Sequence, residues 1–250
     1  MDFSNIERKL ADLKGSHDRR SFLKGAVAIA GMGGAAAVGF PGLMTAASAA
    51  GDTVGSIITA ARTAEELATT YYYEGIAGPR AANLSKVHNA NNLNYFQAAL
   101  YQEYEHIQIL TGAGAATYAS GTFYFPDSWF DNADNYLAGL DALETAFIGA
   151  YLAAIKSFAT LNQPGLAELA GEFLGTECEH RVLGRVTSGS NPPNQWILEK
   201  VSFATVGDAV PALAPFLSAS AGSSGYALPT GDQVRAAAAP TYTSVYNPNA

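Results

Sequence analysis

The run Phe96-Gln97-Ala98-Ala99-Leu100-Tyr101-Gln102-Glu103-Tyr104-Glu105-His106-Ile107-Gln108-Ile109-Leu110 decides how this chain is read. Its apolar Phe96, Ala99, Leu100, Ile107 and Leu110 recur at three- and four-residue offsets, the period of one helix face. Glu103 falls inside that apolar stripe, where a carboxylate is costly without a partner, and His106 follows three positions on. Three positions turn a helix through about 300°, so the two side chains lie about 60° apart and can reach one ion. The pattern returns as Glu177-Cys178-Glu179-His180, with Ala170, Phe173 and Leu174 sharing the face of Glu177.

Two further helical segments each turn one glutamate inward. Glu65 keeps Ile58, Ala61, Ala68 and Tyr72 on its face, and Glu144 lies among Leu137, Leu140, Phe147, Ile148 and Tyr151. Each is followed seven positions later by a tyrosine, Tyr72 or Tyr151. The array reads as two copies of a Glu-x6-Tyr helix followed by a Glu-x-x-His helix. Glu66 shares its face with Arg62, Thr69 and Thr70, and Glu168 with Glu172, so these read as ordinary surface acids. His88, in a polar connection, reads as a surface residue, and Cys178, about 100° around the helix from Glu177, as a small packing residue. Tyr72 and Tyr151 read first as core aromatics with bonded hydroxyls, and alternatively as supports of the neighbouring glutamates. Glu105 and Glu179, each beside a histidine, are open between supporting that histidine and facing solvent.

The four periodic segments span about residues 54–75, 91–110, 135–160 and 165–186. Gly78-Pro79 stops the first, and Asn162-Gln163-Pro164-Gly165 is a tight turn that makes the third and fourth antiparallel neighbours. The stretch 111–134, with its cluster Phe123, Tyr124, Phe125, Trp129 and Phe130, is long enough to cross a bundle end to end. No alternating strand pattern of useful length competes. After Val186 the period is lost: Ser190-Asn191-Pro192-Pro193 breaks it, and the apolar segment 196–217 contains Pro211 and Pro215. The expected fold is all-α, a four-helix bundle with a long crossover between its second and third helices. An irregular C-terminal extension follows, a packed segment and then a loose tail.

Composition limits the function classes. The chain has 250 residues, 48% of them apolar and 14% charged, enough for a core and unlike a disordered chain. Cys178 is the single cysteine, so no intrachain disulfide forms. A net charge of -8 and a pI near 4.9 disfavour nucleic acid and anionic lipid and favour small cations. The charge is uneven: residues 1–49 carry +2 and the remainder -10. In that first segment Arg19-Arg20-Ser21-Phe22-Leu23-Lys24 precedes a Gly/Ala-rich apolar run from Ala26 to Phe40, and Ala47-Ser48-Ala49 has the small residues of a cleavage site. This looks like a twin-arginine export signal, with Asp18 where Ser or Thr is usual. The fifteen-residue run is short of the about 20 residues of a membrane span. The expected domains are a signal peptide over 1–49, a bundle over 50–188 and an extension and tail over 189–250. The mature protein is expected to begin near Ala50 in the periplasm or outside the cell, with no membrane anchor after cleavage.

On these residues the chain resembles the ferritin-like superfamily of di-iron carboxylate four-helix bundles. More narrowly, it is similar to exported bacterial ferritin-like domain proteins related to plant desiccation-associated proteins. The resemblance covers about residues 54–186. It implies a metal site of Glu65, Glu103, His106, Glu144, Glu177 and His180, in which two carboxylates bridge two Fe or Mn ions. Carboxylate and imidazole without thiolate suit those metals better than Zn. No Cys-x-x-Cys pairs follow, so a rubrerythrin-like electron-transfer module is absent. The implied activity is oxidation of Fe(II) by O2 or peroxide. The rival is a stress- or desiccation-associated bundle that keeps its metal without turnover. Expected partners are the export machinery, metal ions and the oxidant; a homo-oligomer is compatible with the sequence. Four ionised glutamates and two neutral imidazoles sum to -4, which two divalent ions neutralise.

Overall fold

A computed structural model describes residues 51–238. The leader motif of Arg19, Arg20, Phe22, Leu23 and Lys24, and residues 239–250, lie outside the described residues.

Helix α1 (Val54–Ala77) begins at a reciprocal cap: Ser56 N–H donates to Thr53 Oγ1 at 3.1 Å, and Thr53 N–H donates to Ser56 Oγ at 2.9 Å. It ends at Gly78, ahead of Pro79. Helix α2 (Leu93–Gly112) follows, then the crossover and helix α3 (Ala133–Thr160), which starts where Asn135 N–H donates to Asn132 Oδ1 at 2.9 Å. Helix α4 (Pro164–Ser188) has proline in its first turn, where no N–H is needed, and stops at Gly189 with φ 99°, a left-handed conformation that favours glycine. α1 packs along α2 and α3 along α4, and the two pairs face each other through α1–α3 and α2–α4 contacts. The bundle expected from the sequence is therefore present, with its ends moved by two residues or fewer.

The crossover corrects one expectation. It contains a strand, β1 (Thr122–Pro126), that pairs antiparallel with β2 (Ser223–Ala227), Phe123 facing Tyr226 and Phe125 facing Ser224. Five residues whose partner lies about a hundred positions away leave too little periodicity to be read as a strand. The alternation is nevertheless there, because Phe123 and Phe125 are fully buried on one face. The extension is also more ordered than its sequence suggests. Helix α5 (Val206–Leu213), capped by Thr205 and Asp208, lies on α1 and α3, and helix α6 (Gly231–Ala238) lies on α2. Asp52 accepts Val206 N–H at 2.9 Å and Gly207 N–H at 3.0 Å, which ties the start of α1 to the positive end of α5. The segment between α4 and α5 is less packed than expected: Ile197, Leu198 and Val201 are exposed. Trp196 lies over the guanidiniums of Arg181 (4.9 Å) and Arg185 (5.1 Å), and the fully buried Arg181 also pairs with Glu199 at 2.6 Å.

An aromatic core joins crossover to bundle. Tyr71 stacks on Tyr136 at 4.6 Å, meets Phe125 at 5.0 Å and Phe130 at 5.4 Å, and meets Trp129 edge-on at 5.7 Å. Gly139 leaves room for this cluster, since a Cβ there would stand 2.6 Å from both Trp129 and the Tyr71 hydroxyl oxygen. Gly139→Ala is expected to cost about 1–3 kcal/mol by overpacking and to lower the thermal midpoint by about 3–10 °C in a calorimetric scan.

Glu74, in the last turns of α1, is buried, and burial pushes its carboxyl up to about 7. The folded state therefore keeps a proton that the unfolded chain releases near pH 4.5, so stability falls as pH rises from about 4.5 to 7 and stays reduced above. Glu74→Gln is expected to remove this dependence, with a gain on the order of 1 kcal/mol above pH 7 after solvent screening, read from denaturant midpoints at pH 5 and 8.

Candidate metal centre

The six inward residues of the sequence reading converge between the four helices. Glu65 comes from α1, Glu103 and His106 from α2, Glu144 from α3, and Glu177 and His180 from α4; all are buried. They form two overlapping groups: Glu65, Glu103, His106 and Glu177, then Glu103, Glu144, Glu177 and His180. Both histidines turn Nδ1 inward, a choice that residue spacing does not determine. His106 Nδ1 lies 3.1 Å from Glu65 Oε2, 3.6 Å from Glu103 Oε2 and 3.5 Å from Glu177 Oε1. His180 Nδ1 lies 2.8 Å from Glu103 Oε1, 3.5 Å from Glu177 Oε2 and 4.0 Å from Glu144 Oε1. Glu103 and Glu177 therefore divide their oxygens, one toward each histidine, while Glu65 and Glu144 each serve one side.

The tyrosines have a defined place in this arrangement. Tyr72 from α1 donates its hydroxyl to Glu144 Oε1 at 2.7 Å, and Tyr151 from α3 donates to Glu65 Oε1. Each lone glutamate is held by the tyrosine of the opposite Glu-x6-Tyr helix, which leaves its Oε2 for the cluster. His180 Nε2 pairs with Gln102 Oε1 at 2.9 Å; since an amide oxygen only accepts, the neutral ring keeps its proton on Nε2 and has Nδ1 free for the cluster. Phe173 stacks on His106 at 4.0 Å and closes that side.

Several oxygens and one nitrogen of the cluster are buried without hydrogen-bond partners: both oxygens of Glu103 and of Glu177, Glu144 Oε2 and His180 Nδ1. His180 Nδ1 lies 2.8 Å from Glu103 Oε1, an ion-pair distance without hydrogen-bond alignment. Buried polar atoms are rarely left in this state, and each costs about 1–3 kcal/mol or more for charged groups. These carboxylate and imidazole groups could hold metal ions, and their donor set fits that purpose. Without metal, protons must take over. Burial, then the charges of the neighbouring carboxylates, pushes Glu65 and Glu144 well above the usual carboxylate range. Burial also opposes ionisation of Glu103, but the positive charge of His180, with the polar groups of Glu65 and His106 close by, holds its carboxyl well below that range. Burial acts to lower both histidines, yet the carboxylates around them raise both well above the ordinary value.

Other residues fall outside the cluster. Cys178 is half-buried and belongs to neither group; burial and the Glu199 carboxylate push its thiol up to about 11, so it stays protonated. Glu179 is exposed, and Glu105 hydrogen-bonds with the Tyr101 phenol, so the support beside His180 is Gln102, which the sequence reading did not single out. A residue one position before an inward glutamate carries no periodic signal of such a role. His88 is exposed as expected, with Nε2 3.0 Å from the Gly75 carbonyl oxygen. Glu66 is a correction: it is wholly buried, and its carboxylate accepts from Arg62 Nε at 2.9 Å, Thr117 Oγ1 at 2.7 Å and Tyr118 N–H at 3.0 Å. It pins the crossover to α1. Its face looks away from the bundle axis, where the helical period predicts solvent and the crossover has been laid instead.

No curated protein and no solved structure matches the chain. Residues 53–189 match the family model described as Ferritin-like domain, a span that begins at the cap of α1 and ends at the stop of α4. The match covers more than half of the chain and contains all six inward residues, and the chain belongs to the ferritin-like domain family.

Proposed function

We propose that this protein binds two iron ions, with manganese as the alternative, and oxidises Fe(II) with dioxygen or peroxide. The observation that carries the reading is the division of Glu103 and Glu177, each turning one oxygen toward His106 and the other toward His180. Iron bound there supplies a redox couple and a Lewis-acidic position for the oxidant. The chain's own part is positional and electrostatic. Glu103 and Glu177 join the two halves, Tyr72 and Tyr151 orient the lone glutamates, and Gln102 fixes the protonation of His180. The six-residue set offers four negative charges to two divalent ions, so loading removes the need for buried protons.

The same reading takes residues 1–49 as a twin-arginine leader cleaved near Ala50, which places the mature protein in the periplasm or outside the cell. It also keeps the kinship with exported desiccation-associated proteins. The deep burial of all six side chains favours a second reading, a stress-associated bundle that retains metal without turnover. Purified mature protein separates the two: about two metal ions per chain with Fe(II)-dependent O2 or peroxide consumption supports the oxidase, and the same metal content without consumption supports the binding role. Protein expressed with ample Fe and Mn that holds no metal, and melts unchanged in chelator, overturns both.

A further inference from the structure

A cavity of about 40 Å3, continuous with solvent, lies between α1, α3 and the extension helix α5. It exists because facing positions are small: Ala61 and Ala64 on α1 and Ala150 and Ala154 on α3 stand under Val210 and Leu213 of α5. Among the described residues that line it, Tyr151 alone has a polar side-chain atom, and that hydroxyl is engaged by Glu65. A second cavity of about 20 Å3, also walled by Tyr151, shares Ile57, Ala61 and Ala154 with the first and runs to Phe173, the ring stacked on His106. The two voids thus lead inward along the side chains that hold Glu65 and cover His106.

The chemistry of the walls selects the occupant. Water needs two to four polar partners to stay in such a void, and these walls offer none that is free. Peroxide and hydrated cations would lose hydrogen bonds on leaving water, at about 1–3 kcal/mol or more per unpaired group. Dioxygen has no such bonds to lose and is small enough to pass between alanine methyls. We infer that the paired cavities are a dioxygen-binding passage, roofed by α5, that ends against Tyr151 and Phe173 on the Glu65–His106 side of the metal centre. The inference rests on the centre being an O2-consuming site, and it adds that O2 and peroxide arrive by different ways. The roof lies outside residues 53–189, so the passage is a property of this chain's extension rather than of the bundle alone.

The test uses the paramagnetism of O2 on the metal-free mature protein. Under O2 pressure, methyl relaxation in NMR is expected to increase selectively at Ile57, Ala61, Ala150 and Ala154, relative to the fully buried Leu67 and Leu100 outside the cavities. Ala61→Leu, which fills the part common to both voids, is expected to abolish the selectivity. In iron-loaded protein it should raise KM for O2 about fivefold while peroxide-driven oxidation of Fe(II) is unchanged. Should Ala61→Leu fail to fold, Ala150→Val narrows the outer cavity and is expected to act in the same direction. Uniform enhancement across all buried methyls, an alkyl chain that copurifies in the cavity, or an equal loss of the O2 and peroxide reactions overturns the passage. Selective enhancement in a protein that, once loaded, consumes neither O2 nor peroxide supports the passage and overturns the oxidising function instead.

Discussion

Glu103→Ala is expected to leave the mature protein with almost no bound metal, whereas His106→Ala and His180→Ala each leave about one ion of two. The difference follows from geometry: Glu103 belongs to both groups, with Oε2 toward His106 and Oε1 toward His180, and each histidine belongs to one. Removing a ligand shared by two ions also removes the charge that offsets their mutual repulsion, so the affinity loss is expected to exceed the about 10–100-fold typical of an outer hydrogen-bonding partner. Glu177→Ala should match Glu103→Ala, because Glu177 divides its oxygens in the same way. Metal analysis after dialysis reads the result, with circular dichroism to confirm that the helices persist. Equal losses in the glutamate and histidine variants would refute the shared-carboxylate arrangement.

The metal-free protein is expected to be most stable in mildly acid solution and to weaken as pH rises, while metal binding tightens over the same range. Glu65 and Glu144 have folded-state values raised above 4.5, so the folded chain holds protons that the unfolded chain has released. Stability on their account falls as pH climbs past about 4.5. His106 and His180 are raised above 6.5; their contribution is full below that value and is lost as pH rises through the folded-state values. Glu103, held low, acts oppositely, with a contribution present above 4.5 and lost as pH falls. Below about pH 4.5 the Glu103 contribution is lost and above it those of Glu65 and Glu144 decline, so the maximum lies near pH 4.5, with a further fall above about 6.5 from the histidines. Bound metal replaces these protons and removes the weakness at higher pH. At about a thousandfold excess over Kd it adds about 4 kcal/mol, or about 10 °C in Tm near pH 7.5. Melting of metal-free protein that does not fall between pH 6 and 8, or is unmoved by metal, contradicts this account.

Much of the bundle was legible because its signal is local. The face of Glu103 could be judged from Phe96 to Leu110 alone, and the same held for Glu65, Glu144 and Glu177, since helix periodicity is written within about two turns. The Glu-x6-Tyr and Glu-x-x-His repeats added a second, independent pattern, and the six residues it singles out do meet between the helices. The misreadings occurred where the partner was distant in sequence. Glu66 is buried by Thr117 and Tyr118, some fifty positions away, β1 is completed by β2 about a hundred positions away, and α5 and α6 are held by surfaces the bundle presents to them.

The sequence by itself determined the four helices, the stop of the first at Gly78-Pro79 and of the fourth ahead of Ser190-Asn191-Pro192-Pro193, and the identity of six residues able to bind cations. Periodicity and capping are short-range properties, set by 3.6 residues per turn and by unsatisfied groups at helix ends. Only the tertiary structure decided which oxygen of Glu103 or Glu177 faces which histidine, and that Nδ1 is the inward nitrogen of both. It also crossed the tyrosines, Tyr72 to Glu144 and Tyr151 to Glu65, and chose Gln102 over Glu179 as the support of His180. Those choices depend on how neighbouring helices are shifted and rotated against one another, which is set by packing across the core and is not recorded in the period of any single helix.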